Sequence, residues 1–398
     1  METSIALMLI LGLGANALFN KVKLPGLLGM IILGIAAGPY ALDWLDADVL
    51  RISGDLRKIA LIIILLRAGL GISREGLSKV GATAIKLSFI PGLMEGFTIA
   101  FISTRLLGFS FIEGGILGFI IAAVSPAVVV PQMLHYLDNG VGTNKGVPTM
   151  ILAGSSIDDV FAVTLFTVFI GLYGGERVNI GVKIISVPIS IILGISVGIL
   201  IGFIMVRLFR KYHIRDTKKV LMILGSSILI TTFEEALKNK LEIAGLLGVM
   251  TIGFIILEKR PQVAARLAVK FSKIWILAEI LLFVLIGSQV NIAVGLQAGA
   301  KGLLIIFTGL VARSVGVIIS TAGTNLNRKE RLFCVIAYLP KATVQAAIGA
   351  IPLGLGMPSG ELMLAVAVMS IMVSAPLGAI LIKSTAKRLL VTTAPSVL

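Results

Sequence analysis

Two adjacent aspartates, Asp158 and Asp159, stand inside AGSSIDDVFAVTLF, residues 153–166, with apolar chain on both sides. Nothing around them reads as a loop. A charge at the centre of a bilayer costs at least ~2.5–3.5 kcal/mol, and acids kept there are functional by default. Adjacent helix positions point about 100° apart. One acid is therefore free to face a cavity while the other serves a neighbouring helix.

Burial favours the neutral form of a carboxyl, so such a group can take up a proton. Ionised, it can hold a small hard cation with help from waters, hydroxyls and backbone carbonyls. If proton and cation compete for one carboxylate, and the protein opens to one side at a time, the outcome is exchange of one for the other. The pair thus points to Asp158 and Asp159 as a shared site for a proton and a small hard cation.

Three further charges interrupt apolar runs: Glu95 in PGLMEGFTIAF, Arg313 in TGLVARSVGVI and Lys341 in YLPKATVQAA. Arg313 must find a buried partner, and Glu95 and Asp158 are the candidates. Lys341 follows a proline break, where a cation can cancel the partial charge of a half-helix end or handle ions directly. Arg67 in IIILLRAGLGIS lies deeper than a snorkelling residue and reads as structural. Glu279 in WILAEILLFVLIG is an ambiguous acid. His135 and His213 are too sparse for a metal site. Cys334 excludes an internal disulfide and reads as packing. Gly194, Gly198 and Gly202 space a close-packing face, with a dimer contact as one use.

These groups need elements to hold them, and the composition says which. The 398 residues are 57% hydrophobic and 14% charged. Apolar runs recur along the whole length, the mark of a polytopic helical membrane protein. About thirteen spans are expected, near 4–20, 26–42, 59–72, 85–106, 112–135, 148–173, 184–208, 219–236, 243–257, 272–290, 302–323, 332–354 and 361–383. The first lacks a basic lead and a cleavage site, so it reads as a span and not as a signal peptide.

The net charge of +15 is parcelled into short loops, which argues against nucleic-acid binding. Loops after the odd-numbered spans hold 23 of the 35 Lys and Arg, against nine on the other side. The positive-inside rule then puts the N-terminus outside and the C-terminus in the cytoplasm of a multi-pass cell (inner) membrane protein.

An internal repeat is also visible. Aligned on Pro126 and Pro340, AVSPAVVV faces AYLPKATV. The two segments lie an odd number of spans apart, so the halves are inverted. Ser125, Pro126 and Pro131 mark one broken helix and Pro340 the other, because proline removes a helix bond and clashes with the preceding turn. Matched interrupted spans point to a transporter site at mid-membrane. The expectation is a single membrane domain, 1–398, with a core subdomain of about 85–173 and 302–383 and a separate dimerisation subdomain.

The ordered motifs KLPGLLGMIILGIAAGP, LLRAGLG, AAVSPAVVVPQML, SSIDDVFA and YLPKATVQAAIG resemble the cation/proton antiporters of the NHA group. The resemblance covers nearly the whole chain. It implies an NhaA-type fold with crossed, broken helices, a homodimer, and monovalent-cation/proton exchange, of Na+ (or Li+) for H+, without a cofactor. It makes Asp159 the principal ion-binding carboxylate, with Asp158 sharing ion or proton binding and contacting Arg313. Many bacterial relatives carry lysine where this chain has Arg313, and arginine cannot deliver a proton. Glu95 matches the acid found in members with arginine. One proton per cation, an electroneutral cycle, follows as the expectation.

Alternatives within transport are a K+/H+ antiporter or a sodium-coupled organic-anion symporter of related fold. An intramembrane aspartyl protease needs two carboxylates about 3 Å apart. Adjacent aspartates on one helix diverge, and no second acid motif on another helix completes a dyad, so an enzyme is not expected. A channel lacks a filter-like repeat.

Overall fold

The computed structural model describes residues 1–72, 74–175, 180–237 and 243–392; the ends of the expected 1–398 domain beyond Thr392 lie outside them. In chain order come α1 (Glu2–Lys21), α2 (Gly26–Ala37), α3 (Ala47–Arg51), α4 (Ser53–Gly69), α5 (Arg74–Leu106) and α6 (Phe111–Ile121). Then follow α7 (Pro126–Asp138), α8 (Val147–Tyr173), α9 (Ile180–Lys211), α10 (Asp216–Leu237), α11 (Gly245–Lys259) and α12 (Pro261–Ser288). The chain continues with α13 (Ile292–Gln297), α14 (Gly299–Ser320), α15 (Arg328–Ala337), α16 (Thr343–Ile348), α17 (Ile351–Gly354) and α18 (Gly360–Leu389).

Eight helical stretches among the described residues are long and apolar enough to cross a membrane. They are Glu2–Lys21, Leu77–Leu106, Phe111–Asp138, Val147–Tyr173, Ile185–Lys211, Asp216–Leu237, Gly299–Ser320 and Gly360–Leu389. The remaining expected intervals fall on α2, α4, α11, α12 and the interrupted run α15–α17. These are shorter or broken, or, like α12, carry Arg266, Lys270 and Lys273 in their first half.

Two sets of helices pack mainly within themselves. One set is α1, α2, α4 and α9–α12, in which α12 lies against α2 and α4, and α11 against α9 and α4. The other is α5–α8 with α13–α18, in which α5 lies against α6, α8 and α14, and α18 against α13, α14, α15 and α17. The second set shows the repeat. Long α5, broken α6/α7 and long α8 are matched in order by α14, the broken run from α15 to α17, and α18.

The breaks have local causes. The residue before a proline is pushed out of the helical region, and Ser125 is extended at φ −85°, ψ 108°. Pro126 then starts α7, where its missing N–H costs nothing. Pro131, expected to share in the break, instead sits inside continuous α7. Its missing donor affects one carbonyl of that helix, whereas the residues before Pro126 must carry the chain out of one helix and into the next. In the second half α15 stops at Ala337, and Tyr338–Ala342, with Pro340 at their middle, link it to α16.

The glycine stripe is used within the chain. A Cβ on Gly194 or Gly198 would lie 2.3 Å from the carbonyl oxygen of Ala244 or Gly248. The stripe therefore lets α9 approach the Ala244–Gly248 end of α11 closely, so this face is not an open dimer contact.

Candidate functional site

The two breaks touch. Ser125 N–H donates to the Pro340 carbonyl at 2.8 Å, and the Ser125 and Thr343 hydroxyl oxygens are 3.4 Å apart. In each half, a backbone N–H from the broken segment is taken up by the following long helix. Val124 N–H donates to Asp158 Oδ2 of α8 at 2.7 Å, and Lys341 N–H donates to Ser374 Oγ of α18 at 3.0 Å.

The buried charges form one network at this crossing. Arg313 of α14 donates to Glu95 Oε2 of α5 at 2.7 Å and to Asp158 Oδ2 at 3.0 Å. It also donates to the Ala122 carbonyl at the end of α6. Its guanidinium carbon stands 5.4 Å from the centroid of the Tyr338 ring. Lys341 Nζ donates to the same Glu95 oxygen at 2.5 Å. Glu95, Arg313 and Lys341 are fully buried, and Asp158 is 1% exposed. Two cations and two anions thus balance in a buried interior, where an unpaired charge would be costly.

The Glu95–Arg313 pair was legible in the sequence. The sharing of Glu95 with Lys341 was not. Sequence reasoning left Lys341 facing half-helix dipoles or handling ions; the structure gives its ammonium a carboxylate. Asp158 takes both of its contacts on Oδ2, one from a guanidinium and one from a backbone N–H, and its Oδ1 has no partner among the described residues.

Asp159 differs. It lines a cavity of about 380 Å³ whose walls include Ser156, Val160, Val163 and Thr164 of α8, Pro126 of α7 and Thr343 of α16. Its Oδ1 has no hydrogen-bond partner among the described residues. The 100° divergence of neighbouring helix positions therefore separates the pair, with Asp158 in the network and Asp159 in the cavity. Ser156 Oγ donates to the Leu152 carbonyl at 2.8 Å, which leaves its oxygen able to accept or to ligate. A small cation at Asp159 would have hard oxygen donors from Ser156 and Thr343 nearby. No group of three or more His, Cys, Asp or Glu side chains gathers as a metal cluster among the described residues.

The cavity opens at one end of the bundle. Lys58, Glu234 and Glu235 line its mouth, and Lys58 Nζ meets Glu235 Oε2 at 2.9 Å. This is the end where Met1 pairs with Asp46. At the opposite end the helices are tied together. Arg67 of α4 donates to Asp138 of α7 and, at 2.6 Å, to Ser272 Oγ of α12. Tyr136 OH donates to the Ile382 carbonyl at 3.2 Å, and Gly142 N–H to the Val391 carbonyl at 2.7 Å. Arg67, whose sequence context reads as structural, thus meets partners on two neighbouring helices.

Glu279 lies on α12, which packs among α1, α2 and α4, and does not line the cavity. His135 and His213 are exposed, and Cys334 is fully buried. Sequence reasoning missed Gln345, Ser374, Tyr338, Ser156 and Thr343. The available signals were position: Ser156 stands one turn before Asp159, and Gln345 is the polar residue in the apolar run after the second break.

Three comparisons bear on these observations. The family model for the transmembrane sodium/hydrogen exchanger matches residues 5–388. Human sodium/hydrogen exchanger 9B2 is 33% identical over 397 residues, covering 95% of this chain and 72% of that protein. Human sodium/hydrogen exchanger 9B1 is 30% identical over 375 residues, covering 90% of this chain and 71% of its own. The structure of the sodium proton antiporter MjNhaP1 from Methanocaldococcus jannaschii at pH 8 superposes with a TM-score of 0.78 over 97% of this chain and 96% of that one. At 22% identity this last likeness speaks for the fold alone.

Proposed function

This chain belongs to the transmembrane sodium/hydrogen exchanger family, and from that premise we propose how its own residues exchange Na+ for H+. It is a Na+/H+ antiporter, and the ion site is the cavity carboxylate Asp159. The observation that carries this assignment is the contrast between the twin acids: Asp158 Oδ2 accepts from Arg313 and from Val124 N–H, whereas Asp159 lines the cavity and its buried Oδ1 has no partner there among the described residues, as the Oδ1 of Asp158 has none in the network.

A proton and a cation cannot occupy the same carboxylate oxygen together, so each displaces the other. Sequential opening of the two ends then couples their opposite movements. The cavity reaches Asp159 from the end bearing Met1, which the positive-inside rule places outside, with the C-terminus in the cytoplasm of a cell membrane. The core is α5–α8 with α13–α18, and it moves against α1–α4 and α9–α12, the set that also forms a homodimer. Thirteen crossings, two of them broken and crossed in the NhaA manner, fit the helices and the alternating charge of the loops.

Charge balance favours one proton per cation. Glu95 serves both Arg313 and Lys341, so it cannot neutralise Arg313 by itself. Asp158 is needed for that and stays ionised through the cycle. Asp159 is left as the exchanging acid, with Ser156 and Thr343 supporting a Na+ or Li+ ion. K+ is the alternative cargo, because the same hard oxygens take a larger ion less tightly without excluding it.

The test is exchange in proteoliposomes with an imposed pH gradient and Na+, Li+ or K+ as the partner ion. Asp159→Asn keeps the shape of the side chain and removes the charge for which ion and proton compete. It is expected to abolish exchange while the protein remains folded. Wild-type rates from this variant would remove Asp159 from the site.

A further inference from the structure

Four consecutive carbonyls, those of Ile120, Ile121, Ala122 and Ala123, run through the end of α6 and into the break. A helix end leaves such acceptors without intrahelical donors. At membrane depth, unsatisfied backbone groups are tolerated only when protein or cavity water serves them. Here two side chains from the second repeat serve all four. Arg313 takes Ala122, and Gln345 Nε2 lies 3.1 Å from Ile120 O, 3.1 Å from Ile121 O and 3.0 Å from Ala123 O.

A glutamine amide has two N–H groups, so its donors are shared among three acceptors. The reverse amide orientation would press Oε1 against three carbonyl oxygens, which fixes the nitrogen as the group facing α6. Gln345 is 2% exposed and stands on α16, in the other broken helix. The carbonyls it holds lead directly into Val124 and Ser125. The first donates to Asp158 and the second to Pro340.

We infer that Gln345 is a positioning residue of the ion site. It holds the link between α6 and α7 in the register that keeps Asp158 engaged by Val124 N–H, and so reserves Asp159 for the cation. This rests on the assignment of Asp159 as the ion-binding acid. Gln345 touches neither aspartate in the hydrogen bonds it makes; it acts through the backbone it grips.

The test compares the Na+ half-saturation of exchange in proteoliposomes for wild type, Gln345→Met, Gln345→Asn and Asp159→Asn, alongside thermal unfolding of each protein in detergent. Gln345→Met keeps the volume and removes both donors. Its half-saturation is expected to rise on the order of 10-fold, as for loss of an outer-shell partner at a metal site. Gln345→Asn keeps the amide but withdraws it by one methylene, and is expected to fall between Gln345→Met and wild type. A purely structural cap would lower the unfolding temperature in the same order and leave half-saturation unchanged, which would overturn the inference. Where Gln345→Met does not fold, Gln345→Asn decides: a raised value supports the inference and a wild-type value defeats it. Asp159→Asn separates the two claims. If it exchanges normally, the site assignment fails; if it is inactive while both Gln345 variants keep the wild-type half-saturation, only the role of Gln345 fails.

Discussion

Glu95 Oε2 accepts from Arg313 at 2.7 Å and from Lys341 at 2.5 Å, so one carboxylate oxygen joins a helix of the second repeat to the link that breaks its partner. Glu95 itself belongs to α5, in the first repeat. The pairing therefore ties the halves together at the depth where both broken helices stop.

That relationship predicts a large stability effect. Glu95→Ala removes the shared acceptor, strands the buried Lys341 ammonium and leaves Arg313 with Asp158 and the Ala122 carbonyl. Breaking a buried pair from one side costs ~3–5 kcal/mol. Denaturation of the purified variant in detergent should show a loss of this order. A loss below about 1 kcal/mol, the range of exposed pairs, would mean that the network does not hold the crossing.

Competition at Asp159 predicts how cation binding varies with pH. The cation binds only the ionised carboxylate, so protonation removes its site. Na+ binds the folded protein and raises its unfolding temperature by mass action. The Na+-induced rise should shrink as pH falls and grow as pH rises, until the carboxylate is ionised without added cation. A rise of the same size at every pH would argue against a shared site.

The balance of two cations by Glu95 and Asp158 predicts an electroneutral cycle. Na+ flux into proteoliposomes should not respond to an imposed membrane potential, and Na+ jumps on a solid-supported membrane should give no sustained current. A Na+-dependent current of the sign expected for two protons per ion would defeat this stoichiometry. It would also bring Asp158 back among the exchanging acids.

The tie between Arg67 of α4 and Asp138 of α7 lies beyond the cavity. α4 lines the cavity with Lys58, Leu61 and Leu65 before it reaches Arg67. α7 begins at the cavity wall with Pro126, and its last residue, Asp138, lies ~18 Å along the helix axis. The pair joins the two sets of helices in the state open at the other end, and an opening of this end that separates α4 from α7 would break it. Arg67→Ala should then favour the opposite state. Val163→Cys in the cavity wall would report this through a membrane-impermeant thiol reagent, since native Cys334 is fully buried. Labelling from the Met1 end should slow by roughly 2- to 5-fold, the range of a partly exposed pair worth up to about 1 kcal/mol. An unchanged rate would show that the pair is not specific to one state.

Much of this protein was decided in its sequence, for reasons that hold segment by segment. A bilayer demands long apolar runs, so helix positions could be read from hydropathy alone. Proline cannot continue a helix without loss, so Pro126 and Pro340 announced the two interruptions. An ionised group in such a run must have a partner or a task, so Asp158, Asp159, Glu95, Arg313 and Lys341 stood out before any fold was known. The geometry of a single helix separated Asp158 from Asp159.

Tertiary structure decided what each group meets. Lys341 was expected to face a helix dipole or to handle ions directly and found Glu95, because the crossing places α5 beside the second break. Pro131 was expected in the first break and lies inside α7. The glycine stripe of α9 was open to use between subunits and is filled by α11. Gln345 passed unnoticed, since an amide carries no charge and its purpose is visible only with the three carbonyls of α6 around it. Partnership depends on distances between segments far apart in the chain, and hydropathy and residue type carry no such distances. Which end of the cavity reaches Asp159 belongs to the same class. It is a property of how two sets of helices lean on one another, and the same sequence must allow both answers if the ion is to cross.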